Sequence, residues 1–152
     1  NPLGGFTGGR ETLKKPISSR LMDGYLSLDE SRAKISLTPL SNASIILQTG
    51  PLLMVDREVT TLKIASDEQA RRSVAAITDD KNLIFLVLFD PQYTYLGPYL
   101  SDLPSITKEI SKVLPSPIVS AINLDGGNAS GFFSGNTTLS ELFPIGSLFC
   151  LQ

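Results

Sequence analysis

Ile118-Val119-Ser120-Ala121-Ile122-Asn123-Leu124-Asp125-Gly126-Gly127 is the stretch on which the fold turns. Its first seven residues read as a buried strand. That strand delivers a carboxylate, Asp125, to its C-terminal end, and two glycines follow at once. Glycine permits backbone conformations that point successive N–H groups at one place, and such a nest binds an anion. Asp125 beside it suits an acid, a base or a metal ligand. The plainer reading is an Asp-Gly turn in which Asp125 bonds its own backbone.

Upstream, Leu103, Ile106, Ile110, Val113 and Leu114 fall on one stripe of a helix. Ser101 or Asp102 suits its start and Pro104 its first turn. Pro115 and Pro117 stop it at about Leu114. Residues 73–77 and 83–89 flank the polar tip Thr78-Asp79-Asp80-Lys81-Asn82 and read as a hairpin. The second of these strands is apolar on both faces and is expected to be central in a sheet. Earlier strands are expected at 25–26, after the turn Met22-Asp23-Gly24, and at 33–40, 44–48, 52–55 and 60–64. Residues 1–20, rich in glycine and polar residues, read as a loop whose glycines could bring amides close to a ligand. A short helix from about Leu139 and a strand through Leu148 are expected to close the chain. Many strands, one main helix and a strand ending in a glycine loop give an α+β fold, a mixed β-sheet with few helices packed on it.

Composition narrows the chemistry. The 152 residues suit a single domain, 1–152, able to bury roughly 70% of its unfolded surface. With 41% hydrophobic and 18% charged residues and a mean hydropathy of +0.11, the chain is not a disordered one. Thirteen basic residues against 15 acidic ones leave a net charge of −2. The basic residues are scattered, so neither nucleic acid nor an anionic membrane is an expected partner. The longest apolar run, 83–89, has seven residues, where a membrane-spanning helix needs about 20. No histidine is present, which removes Ser-His-Asp and Cys-His machinery. The single cysteine, Cys150, forms no internal disulfide and is expected to be a small core residue. Acid–base chemistry therefore falls to carboxylates, Lys, Tyr or water. No signal peptide is visible, and the opening Asn1-Pro2 reads as that of a processed or truncated piece. The Asn-x-Ser/Thr sequences at Asn42, Asn128 and Asn136 are read as chance occurrences.

Ala70-Arg71-Arg72-Ser73 precedes a strand. Strand neighbours face opposite ways, so only one of the two arginines can point at a given site. An arginine can hold a phosphate through two parallel hydrogen bonds. A pair of solvated edge charges is the plainer reading.

Taken in order, Gln48-Thr49-Gly50-Pro51-Leu52-Leu53, Ala70-Arg71-Arg72-Ser73-Val74-Ala75-Ala76-Ile77, the strand at 83–89, the helix at 103–114 and Ala121-Ile122-Asn123-Leu124-Asp125-Gly126-Gly127 resemble the phosphodiester glycosidase family, over roughly residues 45–132. That family includes the animal uncovering enzyme, which removes N-acetylglucosamine from a phosphodiester-linked mannose, and many bacterial proteins associated with exopolysaccharide. The resemblance implies a hydrolase cleaving a sugar-1-phosphodiester, a carbohydrate or sugar-phosphate substrate, and a place outside the cell or in its envelope. It implies Asp125 as the catalytic residue. Arg71 or Arg72 would hold the phosphate and the amides of Gly126 and Gly127 would meet developing charge, with Asn123 and Ser130 as further substrate contacts. Asp90 is the candidate second carboxylate. No cofactor is required, and a divalent cation at Asp125 is compatible with the pattern. The family's glycine-rich run normally continues with Gly and Ser, whereas here it reads Asn128-Ala129-Ser130. Asn1-Pro2-Leu3-Gly4-Gly5-Phe6 stands at, or just after, an Asn-Gly-Gly-Phe-Phe-like element of the family. This implies that N-terminal strands of the domain are missing. The rival expectation is a non-catalytic glycan-binding or cell-envelope structural domain of the same fold. Carboxylates converging on the Asp125 loop would discriminate the two.

Overall fold

The computed structural model describes residues 3–9, 11–145 and 148–150, with Asp125 described by its backbone alone. Strands β1 (Phe6–Gly8), β2 (Glu11–Lys14), β3 (Gly24–Leu28), β4 (Ala33–Ser36), β5 (Ile45–Thr49), β6 (Leu52–Val55), β7 (Glu58–Val59), β8 (Arg72–Thr78) and β9 (Leu83–Leu88) come first. A 3₁₀ turn (Leu100–Asp102) then leads into helix α1 (Leu103–Val113). Strand β10 (Ile118–Gly126), a second 3₁₀ turn (Gly127–Ala129), β11 (Phe132–Ser134) and β12 (Thr137–Leu139) follow. The class is α+β, as expected.

The strands form two five-stranded sheets, in the orders β2-β1-β5-β3-β4 and β7-β6-β10-β8-β9, and a small β11-β12 ribbon. Every described pairing is antiparallel, where a mixed sheet was expected. Parallel neighbours need long crossovers, and here β3/β4, β6/β7 and β8/β9 are short hairpins. The helix connects β9 to β10 two places away in the sheet, still without making a parallel neighbour.

The second sheet is the middle of three layers. Leu26 and Ile35 of the first sheet meet Leu52, Ala75 and Ile122 of the second. On its other face Leu53, Val74, Ala76 and Ala121 receive Leu103, with Ile110 and Leu114 packed against the cluster. This layering explains why β9 was misplaced from sequence. It is apolar on both faces because Ile84, Leu86 and Leu88 join the helix-side cluster while Leu83 and Phe85 join the other. Yet it is an edge strand, not a central one. Burial on two faces reports a strand's layer, not its lateral place.

Four further expectations need correction. Val113 is 81% exposed, and Thr107 takes the buried place four residues after Leu103. Residues 60–64 form no strand; the pairing ends with β7, and Leu62 packs onto the helix-side cluster outside the sheet. Within residues 1–20, Phe6–Gly8 and Glu11–Lys14 pair as strands rather than forming a loop, because β1 also pairs with β5 and the Gly5 N–H donates to Gln48 Oε1 at 2.9 Å. Asn1, Pro2 and Arg10 lie outside the described residues. After β12 the described residues form no regular element: the expected helix is not seen, the expected final strand lies in part at Gly146 and Ser147, outside the described residues, and Cys150 is exposed. That segment is held by the Leu142 and Phe143 N–H groups, which donate to the Asn128 carbonyl at 2.8 and 3.0 Å, and by Phe149, its ring 5.2 Å from that of Phe85.

Candidate active site

Strand β10 ends among the polar groups of several elements. Its partner register runs Asn123 to Val74, Asp125 to Ser73 and Gly126 to Arg72, with a bulge between Asn123 and Asp125. A bulge sets two residues against one and re-aims the side chains that follow. The backbone of Asp125 lies at this turn point; its side chain is outside what the structure describes. Gly126 is required by proximity, since a Cβ there would stand 2.3 Å from the Arg71 carbonyl oxygen. Gly127 adopts φ +61°, a conformation that favours glycine, and donates its N–H to that same carbonyl at 2.6 Å. The anion nest expected from the Gly127 amide is therefore spent on the chain itself.

Arg71 and Arg72 divide as strand alternation requires. Arg71 is fully buried and points to the loop after β10. Its Nε donates to Ser130 Oγ at 3.0 Å, its Nη2 to the carbonyls of Ser130 and Ser140, and its Nη1 to the Thr94 carbonyl at 3.2 Å. Its guanidinium carbon lies 5.0 Å from the centre of the Tyr95 ring, a cation–π arrangement. Ser130 Oγ donates onward to the Gly127 carbonyl at 2.9 Å. Among the described residues no carboxylate forms an ion pair with Arg71. Burial pulls its pKa below the ordinary guanidinium value, with Tyr95 and Glu141 acting the other way. A direct two-bond hold on phosphate would require several of these bonds to open.

Arg72 points to the helix side. It donates to the carbonyls of Pro98 and Glu68 at 3.3 and 2.7 Å and lies 3.7 Å from Asp67. Asp67 in turn accepts the N–H groups of Leu100 and Ser101 at 3.0 and 2.8 Å. It thereby caps the 3₁₀ turn that leads into α1, while Asp102, the residue at the N-cap of α1, makes no side-chain cap bond. Burial pushes the Asp67 pKa up, but the donors of Ser101, Leu100 and Glu68 outweigh it and hold the carboxyl below its ordinary range.

Asn123 is also buried. Its Nδ2 donates to the Gly50 carbonyl at 3.0 Å, and Thr49 Oγ1 donates to the carbonyls of Asn123 and Leu124, both at 2.9 Å. Asn123 Oδ1 is buried with no donor, the one such side-chain atom among the described residues. A buried acceptor without a partner costs about 1–3 kcal/mol. Asp23 stands at the same turn, its Oδ1 accepting the Leu52 N–H at 2.8 Å. Its sequence signal, Met22-Asp23-Gly24, says only turn, because nothing local shows that residues 49–52 come to meet it.

Asp90 sits at the C-terminal end of β9, and its Oδ1 accepts the N–H of Gln92 at 2.7 Å. The open depression it lines, about 540 Å³, includes Gln69, Phe89, Gly97 and Pro98. Since Arg72 pairs with Leu88 on one side and Gly126 on the other, this depression belongs to the same end of the sheet as the Asp125 turn. Among the described residues no group of three or more Asp, Glu or Cys is placed to hold a metal ion, and no helix is long and apolar enough to cross a membrane.

The family model for phosphodiester glycosidase matches residues 18–149. That span contains all of these groups. No curated protein matches the chain.

Proposed function

The chain belongs to the phosphodiester glycosidase family, and from that premise we propose that it hydrolyses a sugar-1-phosphodiester at the exit of β10. The observation that carries the reading is the fully buried Arg71 bound into the loop after Asp125. A buried cation with no ion-paired carboxylate among the described residues is costly, and its field favours an anionic diester at this strand end even without contact. Asp125 transfers a proton or orients the attacking water, and a carboxylate also stabilises an oxocarbenium-like state if the sugar carbon is the centre attacked. Asp90 and Asp23, both at this end, are the candidates for the second carboxylate. Asn123 Oδ1 accepts from a substrate hydroxyl or a bound water. We place the substrate among exported glycans, outside the cell or in its envelope.

One observation favours the non-catalytic alternative: the Gly127 amide and most Arg71 donors are already bonded within the protein. The experiment is sugar release from a sugar-1-phosphodiester by the wild type and by Asp125→Asn, each with a thermal melt, and with and without a chelator. The variant is expected to lose about 10²–10⁴-fold in rate at an unchanged melting temperature. Full activity in Asp125→Asn removes its catalytic role. An inactive wild type that still binds sugar leaves the glycan-binding reading.

A further inference from the structure

Residues 89–99, between β9 and the turn before α1, carry Tyr93, Tyr95 and Tyr99, three of the chain's four tyrosines. Tyr95 is used internally, under Arg71. Tyr93 and Tyr99 are 64% and 42% exposed and Leu96 is 42% exposed. The segment is nonetheless tied down at both ends. Asp90 N–H donates to the Leu96 carbonyl at 2.9 Å and Leu96 N–H to the Tyr93 carbonyl at 2.7 Å. The Arg71 N–H and guanidinium hold the carbonyls of Tyr95 and Thr94, and Arg72 holds that of Pro98. Two buried or half-buried arginines therefore fix a loop that offers its aromatic faces to solvent. A loop fixed in this way suits a preorganised binding surface.

The adjoining depression has mixed chemistry. Phe89, Pro91 and Pro98 supply apolar wall, while Gln69, Gln92 and Asp90 supply amide donors and acceptors and a carboxylate. Its volume of about 540 Å³ falls in the ordinary range of ligand sites, roughly 300–1,000 Å³. Its lining residues include a carboxylate and no lysine or arginine, which suits a neutral group better than a phosphate. A pyranose ring is uncharged, apolar on its C–H faces and ringed by hydroxyls. Tyrosine and proline surfaces cover such faces, and carboxamides and carboxylates bond such hydroxyls.

We propose that the depression beside Asp90, together with the exposed Tyr93 and Tyr99 that directly follow its lining residues Gln92 and Pro98 in the chain, is a subsite for a neutral sugar ring of the substrate, at the same end of the sheet as Asp125. This rests on the reading that the substrate is a phosphodiester-linked sugar. The phosphate is left to the β10 exit and the neutral ring to the tyrosine loop.

The test uses three phosphate-free probes, the methyl α-glycosides of glucose, mannose and N-acetylglucosamine, titrated against the full chain by ligand-detected NMR. At least one is expected to bind saturably. The double variant Tyr93→Ala/Tyr99→Ala, and separately Gln69→Ala, should weaken that binding about tenfold or more with unchanged thermal melts. With a diester substrate, the double variant should raise KM and leave kcat near wild type. No binding of any probe, or binding unaffected by both variants, overturns the subsite. Tyrosine-dependent probe binding in a protein that cleaves no diester leaves the subsite standing and removes the hydrolase reading. Diester cleavage with unchanged KM in the double variant does the reverse.

Discussion

The two ends of the second sheet close their polar groups in opposite ways. At the β8–β9 turn the bonds among Thr78, Asp80 and Asn82 are local, and the longer ones, from the Asp80 N–H to Ser116 Oγ and from Arg57 to Asp79, are exposed. Thr78 Oγ1 donates to Asp80 at 2.5 Å and Asn82 Nδ2 to Asp80 at 2.8 Å, spans of two residues. Asp80 is accordingly held below its ordinary carboxyl pKa, the Thr78 hydroxyl acting first and that of Ser116 second. The ion pair there, Arg57 with Asp79, has both side chains more than half exposed. At the β10 exit the spans are 59 residues from Arg71 to Ser130, 69 to Ser140 and 74 from Thr49 to Asn123. The charge at that end is buried. One end is a solvated turn. The other is a junction at which distant segments settle one another's polar groups, and there the chemistry is proposed to occur.

Removing Arg71 should separate the two ends most. Arg71→Met keeps much of the apolar stem but leaves the carbonyls of Ser130, Ser140 and Thr94 without this donor. At about 1–3 kcal/mol for each buried acceptor left unmade, a loss of 3 kcal/mol or more is expected in chemical denaturation. A loss near zero would mean that the exit closes on its own and that Arg71 does not organise it.

Helix α1 runs from one end to the other and allows a second contrast. Leu103, fully buried near the exit, should cost about 2–5 kcal/mol as Leu103→Ala. Val113, exposed at the opposite end, should change stability by no more than about 0.5 kcal/mol as Val113→Ala. Equal effects would show that the helix is gripped along its whole length.

Asp67 adds a pH-dependent arm. Its folded pKa lies below the ordinary carboxyl value, so its contribution is complete above the unfolded pKa, about 3.9, and fades as pH falls through the folded one. Asp67→Asn should cost on the order of 1 kcal/mol, the usual worth of a helix cap, between pH 5 and 8. The gap between variant and wild type should narrow below about pH 4. A gap that widens on acidification would contradict the assigned bonds.

The same contrast explains what the sequence could disclose. The β8–β9 hairpin, α1 and the β10 strand with its glycines are legible because their signals are period and local turn chemistry. Asp125 as a strand-end carboxylate and the opposite facing of Arg71 and Arg72 follow from the same rules. The closure of the exit is not legible. Nothing near Arg71 announces Ser130, Ser140 or Tyr95, and nothing near Asp67 announces that it caps the 3₁₀ turn 33 residues later, before α1. Gly126 and Gly127 carry a correct signal with a misjudged beneficiary: their freedom serves the close approach of the Arg71 carbonyl. The edge position of β9 was hidden because sandwiching between two layers gives it the composition of a central strand.

The smallest expected effect belongs to the exposed end. Arg57 and Asp79 are paired across a span of 22 residues, yet both side chains remain in water, 58% and 55% exposed. Holding two flexible side chains together costs entropy, and solvent screens the attraction, so such pairs contribute about 0–1 kcal/mol. A double-mutant cycle with Arg57→Ala and Asp79→Ala should give a coupling in that range. It should shrink further when salt is raised from about 0.1 to 1 M, as the screening length falls from about 10 to 3 Å. A salt-resistant coupling above about 2 kcal/mol would show that this end, too, is held by a desolvated charge, and the distinction between a solvated turn and a buried junction would fail where it is easiest to measure.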